Sequence, residues 1–170
     1  MRYVAKMRTV AMCIFAVVLL LGPKSAHATE FNMNGASCTP GHDAVTNYLY
    51  QVLSGTIRHR GTETASITML CPIPGYISSP SHLYLLYSNT ENHADTYVKA
   101  YYYKMHKTTG VVSQVDMVTS ANGVNNGSVT SVSHTFSDTY DGTTYVYYVK
   151  VLLKRRTGSE TSVFYGVTVW

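Results

Sequence analysis

The chain has 170 residues, of which 45% are hydrophobic and 13% charged, and its 13 Lys and Arg stand against 9 Asp and Glu. The whole excess of +4 lies before residue 29, in Arg2, Lys6, Arg8 and Lys24, so the remainder is formally neutral. Because the remainder has no net charge, its charge gives no reason to expect binding to nucleic acid or to anionic membranes. The length of the remainder suits one domain with one core.

The first element is a predicted secretory signal peptide over residues 1 to 28. Basic residues precede an apolar run of about twelve residues, shorter than the roughly 20 that a membrane-spanning helix needs. Small residues at Ala26 and Ala28 occupy the positions that signal peptidase reads. We expect cleavage after Ala28, leaving residues 29 to 170 as a single secreted domain, extracellular or periplasmic, without a membrane span; an uncleaved anchor is the alternative.

The cysteines predict one disulfide. Cys13 lies inside the predicted signal peptide, so Cys38 and Cys71 remain as an even pair in an oxidising compartment. Their bridge closes a loop of about 33 residues and is expected to stabilise the fold by about 3 to 4 kcal/mol. Two cysteines are too few for a structural zinc site, and neither lies in a nucleophile motif.

The next elements are a polar lead-in and a first hairpin. Residues 29–47 are rich in turn-forming residues and are expected to be held by Cys38. Residues 48–59 and 63–73 are predicted to pair around a turn at 60–62, with Gly55 marking a bulge. In the second of these strands the inward positions are Ala65, Ile67, Met69 and Cys71.

The sequence predicts further strands in the rest of the chain. Their predicted bounds are 82–87, 96–106, 111–118, 129–136, 144–153 and 162–170. The strands 96–106 and 111–118 flank a four-residue loop and are expected to form a hairpin. Thr, Val and Tyr dominate and no helical period appears past residue 29, which predicts an all-β antiparallel sandwich of about eight or nine strands, with a small closed β-barrel as the alternative.

Tyrosine is the outstanding residue type, with 15 in the chain. The run at residues 101–103 places rings on both faces of one strand. Tyr101 and Tyr103, beside Lys99, are therefore candidates for an exposed aromatic platform that binds sugar rings or a protein partner. The alternative is that these tyrosines are half-buried sheet residues in cross-strand pairs.

No catalytic, metal or cofactor motif is found. His134 lies in phase with apolar neighbours and is expected to point inward, whereas Asp116 opposes an apolar face and is expected to be solvated. Asp138 and Asp141 fit a turn better than a calcium site. The histidines lack zinc spacing, and there is neither a glycine-flanked serine elbow nor a pair of inward carboxylates. These patterns predict a protein that is not an enzyme.

Two resemblances add to this interpretation. The signal peptide, Cys38, the tyrosine-rich hairpin and Cys71-Pro72-Ile73-Pro74 resemble a loose group of small secreted bacterial proteins. This resemblance implies a bacterial source and indicates nothing about activity. The last strand resembles the end of pilus subunits that assemble by strand donation. Those subunits carry a long alternating donor segment, and residues 29–37 are too polar to serve as one.

The sequence therefore predicts a secreted, non-enzymatic binding or surface-interaction module whose partner is an extracellular protein or glycan. The alternatives are a structural subunit of an extracellular assembly and a small secreted hydrolase. A binding module predicts tyrosines grouped on one sheet face, and a hydrolase predicts a cleft with converging histidine and carboxylates.

Overall fold

The structure is a computed structural model that describes residues 31–41, 49–73, 80–91 and 93–170. The predicted signal peptide at 1–28 lies outside these ranges. The described residues form eleven strands: β1 Phe31–Asn34, β2 Thr39–Pro40, β3 Tyr50–Leu53, β4 Thr56–His59, β5 Ile67–Pro72, β6 His82–Asn89, β7 Tyr97–His106, β8 Val112–Thr119, β9 Val129–Thr135, β10 Tyr145–Lys154 and β11 Ser162–Val169.

The strands form two antiparallel sheets that pack face to face. The six-stranded sheet has the order β3-β4-β11-β6-β9, with β1 also pairing with β11, and the five-stranded sheet has the order β2-β5-β10-β7-β8. The predicted all-β sandwich is confirmed. The closed barrel is not observed, because the strands divide into two separate sheets.

The core lies between the sheets and follows from alternation along each strand. In β10, Tyr147, Val149, Val151 and Leu153 are buried while the residues between them are not. Leu83, Leu85 and Tyr87 of β6 are buried from the other side. Burying one such aliphatic side chain contributes roughly 1.5 to 3 kcal/mol, so the two inner faces hold the sheets together.

The predicted disulfide between Cys38 and Cys71 is confirmed. Cys38 lies between β1 and β2, where the chain passes from the six-stranded sheet to the five-stranded sheet. Cys71 is a buried residue of β5, which pairs with β2. The bridge therefore fixes a crossing between the two layers.

The predicted hairpin between residues 48–59 and 63–73 is wrong. β3 and β4 pair with each other around Ser54 and Gly55, and β5 belongs to the other sheet. Ser54 and Gly55 have φ of 49° and 80°. Two successive residues with positive φ give the tight turn that suits the twist of a two-residue hairpin, so Gly55 is a turn residue and not a bulge.

The hairpin predicted from 96–106 and 111–118 is confirmed as β7 and β8, with a bulge between Tyr102 and Tyr103. The amino-terminal strand β1 lies in what the sequence indicated as a turn-rich lead-in. It pairs with the second half of β11. Among the described residues, no helical segment has the length and apolarity that a membrane crossing requires.

Candidate functional site

Tyrosines and lysines cover the outer face of the five-stranded sheet where β7 and β10 pair. They are Tyr97, Lys99, Tyr101, Tyr103, Tyr148 and Lys150. Successive side chains of a strand point to opposite faces, so burial of Val98, Ala100 and Tyr102 in the core turns their neighbours outward. We call this surface the tyrosine face.

The rings of the tyrosine face form a row across two strands. Tyr103 lies opposite Tyr148, and Tyr101 lies opposite Lys150. The ring centroids of Tyr101 and Tyr103 are 6.1 Å apart, and those of Tyr103 and Tyr148 are 5.4 Å apart, with interplanar angles of 20° and 24°. All three side chains are half-buried, so the row presents ring surface and hydroxyl groups to solvent.

Two phenols of this row, those of Tyr101 and Tyr148, are neutral hydrogen-bonding groups. Burial raises the pKa of Tyr101, and the neighbouring Tyr97 and Tyr103 raise it further. Burial, together with Tyr103, also raises the pKa of Tyr148. The hydroxyls of Tyr101 and Tyr148 therefore keep their protons at neutral pH and can both donate and accept a hydrogen bond.

The lysines give the tyrosine face a positive charge. Lys99 Nζ lies 4.1 Å from the ring centroid of Tyr97, a cation–π geometry. Neither Lys99 nor Lys150 has a carboxylate within 4.0 Å in the described part of the chain. At the end of β10, by contrast, Lys154 Nζ is 2.6 Å from Asp95 Oδ1. The centre of the face thus combines aromatic rings with two lysines that have no carboxylate partner in the described segments.

The structure brings the three residues singled out from the sequence together. Lys99, Tyr101 and Tyr103 share one outer face, as strand alternation indicates, and their role in binding stays a prediction. Tyr148 and Lys150 were missed. Alternation in β10 could have shown that they share a face, but no local signal shows that β10 lies beside β7.

A histidine–aspartate pair lies between the edge strands of the two sheets. His134 Nδ1 is 2.7 Å from Asp116 Oδ1, and Asp116 is only 8% exposed. The prediction that Asp116 is solvated is wrong, because the bulge in the β7–β8 pairing places it opposite the buried Tyr102. Within the described ranges no hydroxyl or thiol is hydrogen-bonded to His134, so the pair lacks the nucleophile that a hydrolytic triad needs.

The two aspartates considered for calcium have separate protein partners. Asp138 Oδ1 accepts a hydrogen bond of 2.6 Å from Lys104 Nζ. Asp141 Oδ1 accepts bonds from Thr143 and from the backbone of Thr144, which hold the Asp141 pKa well below its usual range. Nowhere in the described residues do three or more His, Cys, Asp or Glu form a group that could hold a metal ion.

No protein-family model and no curated protein matches the chain. Among solved structures, the xylan-binding module CBM15 is similar in fold, with a TM-score of 0.50 and 10% identity over 84% of this chain and 95% of that module. The carbohydrate-binding module CBM36 in complex with calcium and xylotriose has a TM-score of 0.47 and 9% identity over 82% and 99%. A CBM36 domain of a xylanase from the hindgut metagenome of Trinervitermes trinervoides has a TM-score of 0.44 and 11% identity over 84% and 97%. At these identities the likeness concerns the fold.

Proposed function

We propose that the protein is a non-catalytic carbohydrate-binding module that holds an acidic polysaccharide across its tyrosine face. The observation that carries this proposal is the row of Tyr101, Tyr103 and Tyr148 beside two lysines that have no carboxylate partner within the described ranges. The fold shared with a xylan-binding module supports the same class of function.

The shape of the tyrosine face suits a polymer. It is an open sheet surface rather than an enclosed pocket, so an extended chain can lie along it with successive sugar units meeting successive rings. Sugar rings have an apolar face of C–H groups and a periphery of hydroxyl groups. Tyrosine matches both, because its ring supplies apolar area and its hydroxyl supplies a hydrogen-bonding group.

The charge of the face indicates the kind of polysaccharide. Lys99 precedes Tyr101 on the same face of β7 and Lys150 lies opposite Tyr101 on β10, and no carboxylate of the described residues lies within 4.0 Å of either lysine. A uronate carboxylate on the polymer would provide the missing counter-charge. Because these lysines are half-exposed, we expect a modest gain in affinity that salt screens.

Affinity gels test the proposal, with the purified disulfide-bonded protein run through glucuronoxylan, polygalacturonate and neutral arabinoxylan. We expect retardation by the acidic polymers, weakened on the order of tenfold or more in Tyr101→Ala/Tyr103→Ala because two aromatic contacts are lost. In Lys99→Gln/Lys150→Gln, retardation by the acidic polymers should depend less on salt concentration than it does in the parent.

Tyr84→Ala is the matched control, because Tyr84 is a half-buried tyrosine on the outer face of the six-stranded sheet. It should be retarded by polygalacturonate as the parent is. The proposal is overturned when no polymer in the set retards the parent, or when the double tyrosine variant migrates like the parent in every gel.

A further inference from the structure

A cleft of about 460 Å³ lies on the opposite side of the sandwich, along the outer face of the six-stranded sheet. It follows β11 between β1 and β6. Asn32 and Asn34 form one wall, Tyr84 and Leu86 form the other, and Tyr165 and Trp170 lie at its two ends. Its volume is within the range of pockets that bind small molecules.

The floor of the cleft is low because β11 carries small residues there. Gly166 and Thr168 are the outward residues between the two walls. A Cβ on Gly166 would lie 2.5 Å from the carbonyl oxygen of Met33, so β1 approaches β11 too closely for any larger residue. At one end, a register shift leaves Tyr165 without a partner on β6, and such bulges redirect side chains.

The other end of the cleft has a fixed aromatic wall. Trp170 exchanges backbone hydrogen bonds with His82, accepting one of 2.9 Å and donating one of 3.2 Å. Its ring stacks on the His82 ring with centroids 5.1 Å apart and an interplanar angle of 4°. The Tyr84 ring is 5.8 Å away and tilted by 52°, so the two rings form an apolar corner.

The β1 wall offers oriented hydrogen-bond donors. Asn32 Oδ1 accepts the hydroxyl hydrogen bond of Thr168, and Asn34 Oδ1 accepts bonds of 3.0 Å from both the backbone N–H and the hydroxyl of Ser37. With both carbonyl oxygens engaged, the amide NH₂ groups are left without a hydrogen-bond partner in the described chain. Each therefore presents donors at the rim of the cleft.

We propose that this cleft is a second saccharide-binding site, which takes a neutral sugar. An apolar corner with amide donors opposite matches a sugar ring, whose C–H face packs on the aromatics while its hydroxyl oxygens accept from the asparagines. No charged side chain of the described residues lines the cleft, so an anionic ligand would find no counter-charge among them. A hydrocarbon ligand would leave the amides desolvated and unbonded, which is unfavourable.

This second site is separate from the tyrosine face, because the two occupy opposite outer faces of the sandwich. It extends the proposed function without depending on it. A module with sites on opposite faces can hold two saccharide chains at once, which raises its avidity for a polysaccharide network.

The chain's single tryptophan makes the cleft observable, since Trp170 is a wall of the site. We would titrate the disulfide-bonded protein with xylotriose, cellotriose, mannotriose and trigalacturonate while recording tryptophan emission. We expect at least one neutral trisaccharide to change the emission saturably and trigalacturonate to leave it unchanged.

Asn32→Asp provides the specific variant, because it keeps an oxygen for the Thr168 hydroxyl and removes the NH₂ donors. This variant should bind the neutral trisaccharide with an affinity lower by on the order of tenfold. Asn126→Asp is the matched control: Asn126 Oδ1 also accepts a bond from the chain, from the Ser128 N–H at 3.0 Å, but lies outside the cleft. It should bind as the parent does.

The outcomes of the two experiments are distinguishable. Tyr103→Ala should leave the emission titration unchanged even where it abolishes retardation by polygalacturonate. The second site is overturned when no neutral trisaccharide changes the emission, or when Asn32→Asp binds like the parent with unchanged circular dichroism. Loss of the titration in Tyr103→Ala but not in Tyr84→Ala would also overturn it.

Discussion

Single residues in this protein take opposite roles according to the face of the strand on which they lie. Tyr101 and Tyr103 face outward, whereas Tyr102 between them is fully buried, with its ring centroid 5.2 Å from that of Phe136 and 5.7 Å from that of Tyr147. Burial raises the pKa of Tyr102 strongly. Three consecutive tyrosines thus supply both a core aromatic and two surface rings.

His59 is a buried histidine whose protonation is coupled to folding. It is 5% exposed, and its Nε2 lies 3.0 Å from the carbonyl oxygen of Ala65. Burial lowers its pKa to about 4; the hydrogen bond to the Ala65 carbonyl oxygen opposes this shift, and the positive charge of Arg155 adds a smaller lowering of the pKa. The folded protein therefore holds this imidazole neutral.

This predicts a pH-dependent stability. Between pH 6.5 and about 4 the unfolded chain binds a proton at His59 and the folded chain does not, so the free energy of unfolding falls as the pH is lowered through that window. The loss should be up to about 3 kcal/mol. Urea unfolding at pH 7.5 and 4.5 measures it.

His59→Gln serves as the comparison, because Gln retains a donor for the Ala65 carbonyl but does not titrate. Its stability should depend less on pH than that of the parent across the same window. Equal slopes for parent and variant would contradict a buried neutral His59.

At the scale of elements, β11 is the strand on which the six-stranded sheet depends. It pairs with β6 along one edge and with both β4 and β1 along the other. The bulge at Tyr165 lies where the second edge passes from β4 to β1. The same irregularity places Gly166 under the cleft, so sheet assembly and cleft shape share one cause.

Gly166→Ala tests this close approach. The added Cβ would meet the Met33 carbonyl oxygen at 2.5 Å, and two paired backbones must separate to admit it. We expect a loss of roughly 1 to 3 kcal/mol in the free energy of unfolding, measured by urea denaturation. Thr168→Ser is the control, because it adds no atom on the same strand and keeps the hydroxyl bonded to Asn32. If Gly166→Ala is as stable as the parent, β1 can move away from β11 without loss of stability, and the prediction is wrong.

For the whole molecule, the chain must cross repeatedly between two sheets, and the disulfide fixes one crossing. It joins the link between β1 and β2 to β5 across a sequence separation of 33 residues. A typical domain has only about 5 to 15 kcal/mol of net stability, so a single bridge is a large share of it. It also holds β1, a wall of the cleft, in register with the rest of the fold.

Removal of the bridge should therefore destabilise both layers. In Cys38→Ser/Cys71→Ser we expect the free energy of unfolding to fall by about 3 to 4 kcal/mol, because the unfolded chain regains the entropy of the open loop. Denaturant unfolding of the variant should coincide with that of the parent in reducing agent. A variant that unfolds at the same denaturant concentration as the oxidised parent would contradict the structural role of the bridge.

Local patterns were sufficient for the class of the fold and for one half of the tyrosine face. Alternation of apolar and polar residues placed Lys99, Tyr101 and Tyr103 on one surface, and the count of cysteines left one disulfide to form. The prediction of one continuous strand over residues 48–59 was wrong, because Ser54 and Gly55, both with positive φ, form a turn between β3 and β4. The prediction for Asp116 was wrong because a bulge shifts the alternation.

By itself the sequence determined which residues can form strands, which faces are apolar and which cysteines can pair, because each depends on neighbours along the chain. Only the tertiary structure decided that Tyr148 lies beside Tyr103 and that Asn32 lies beside Thr168, 136 residues away. Strand order is chosen by the burial of whole faces and by hydrogen bonds between distant segments. Neither the full tyrosine face nor the cleft is therefore visible in any local stretch of sequence.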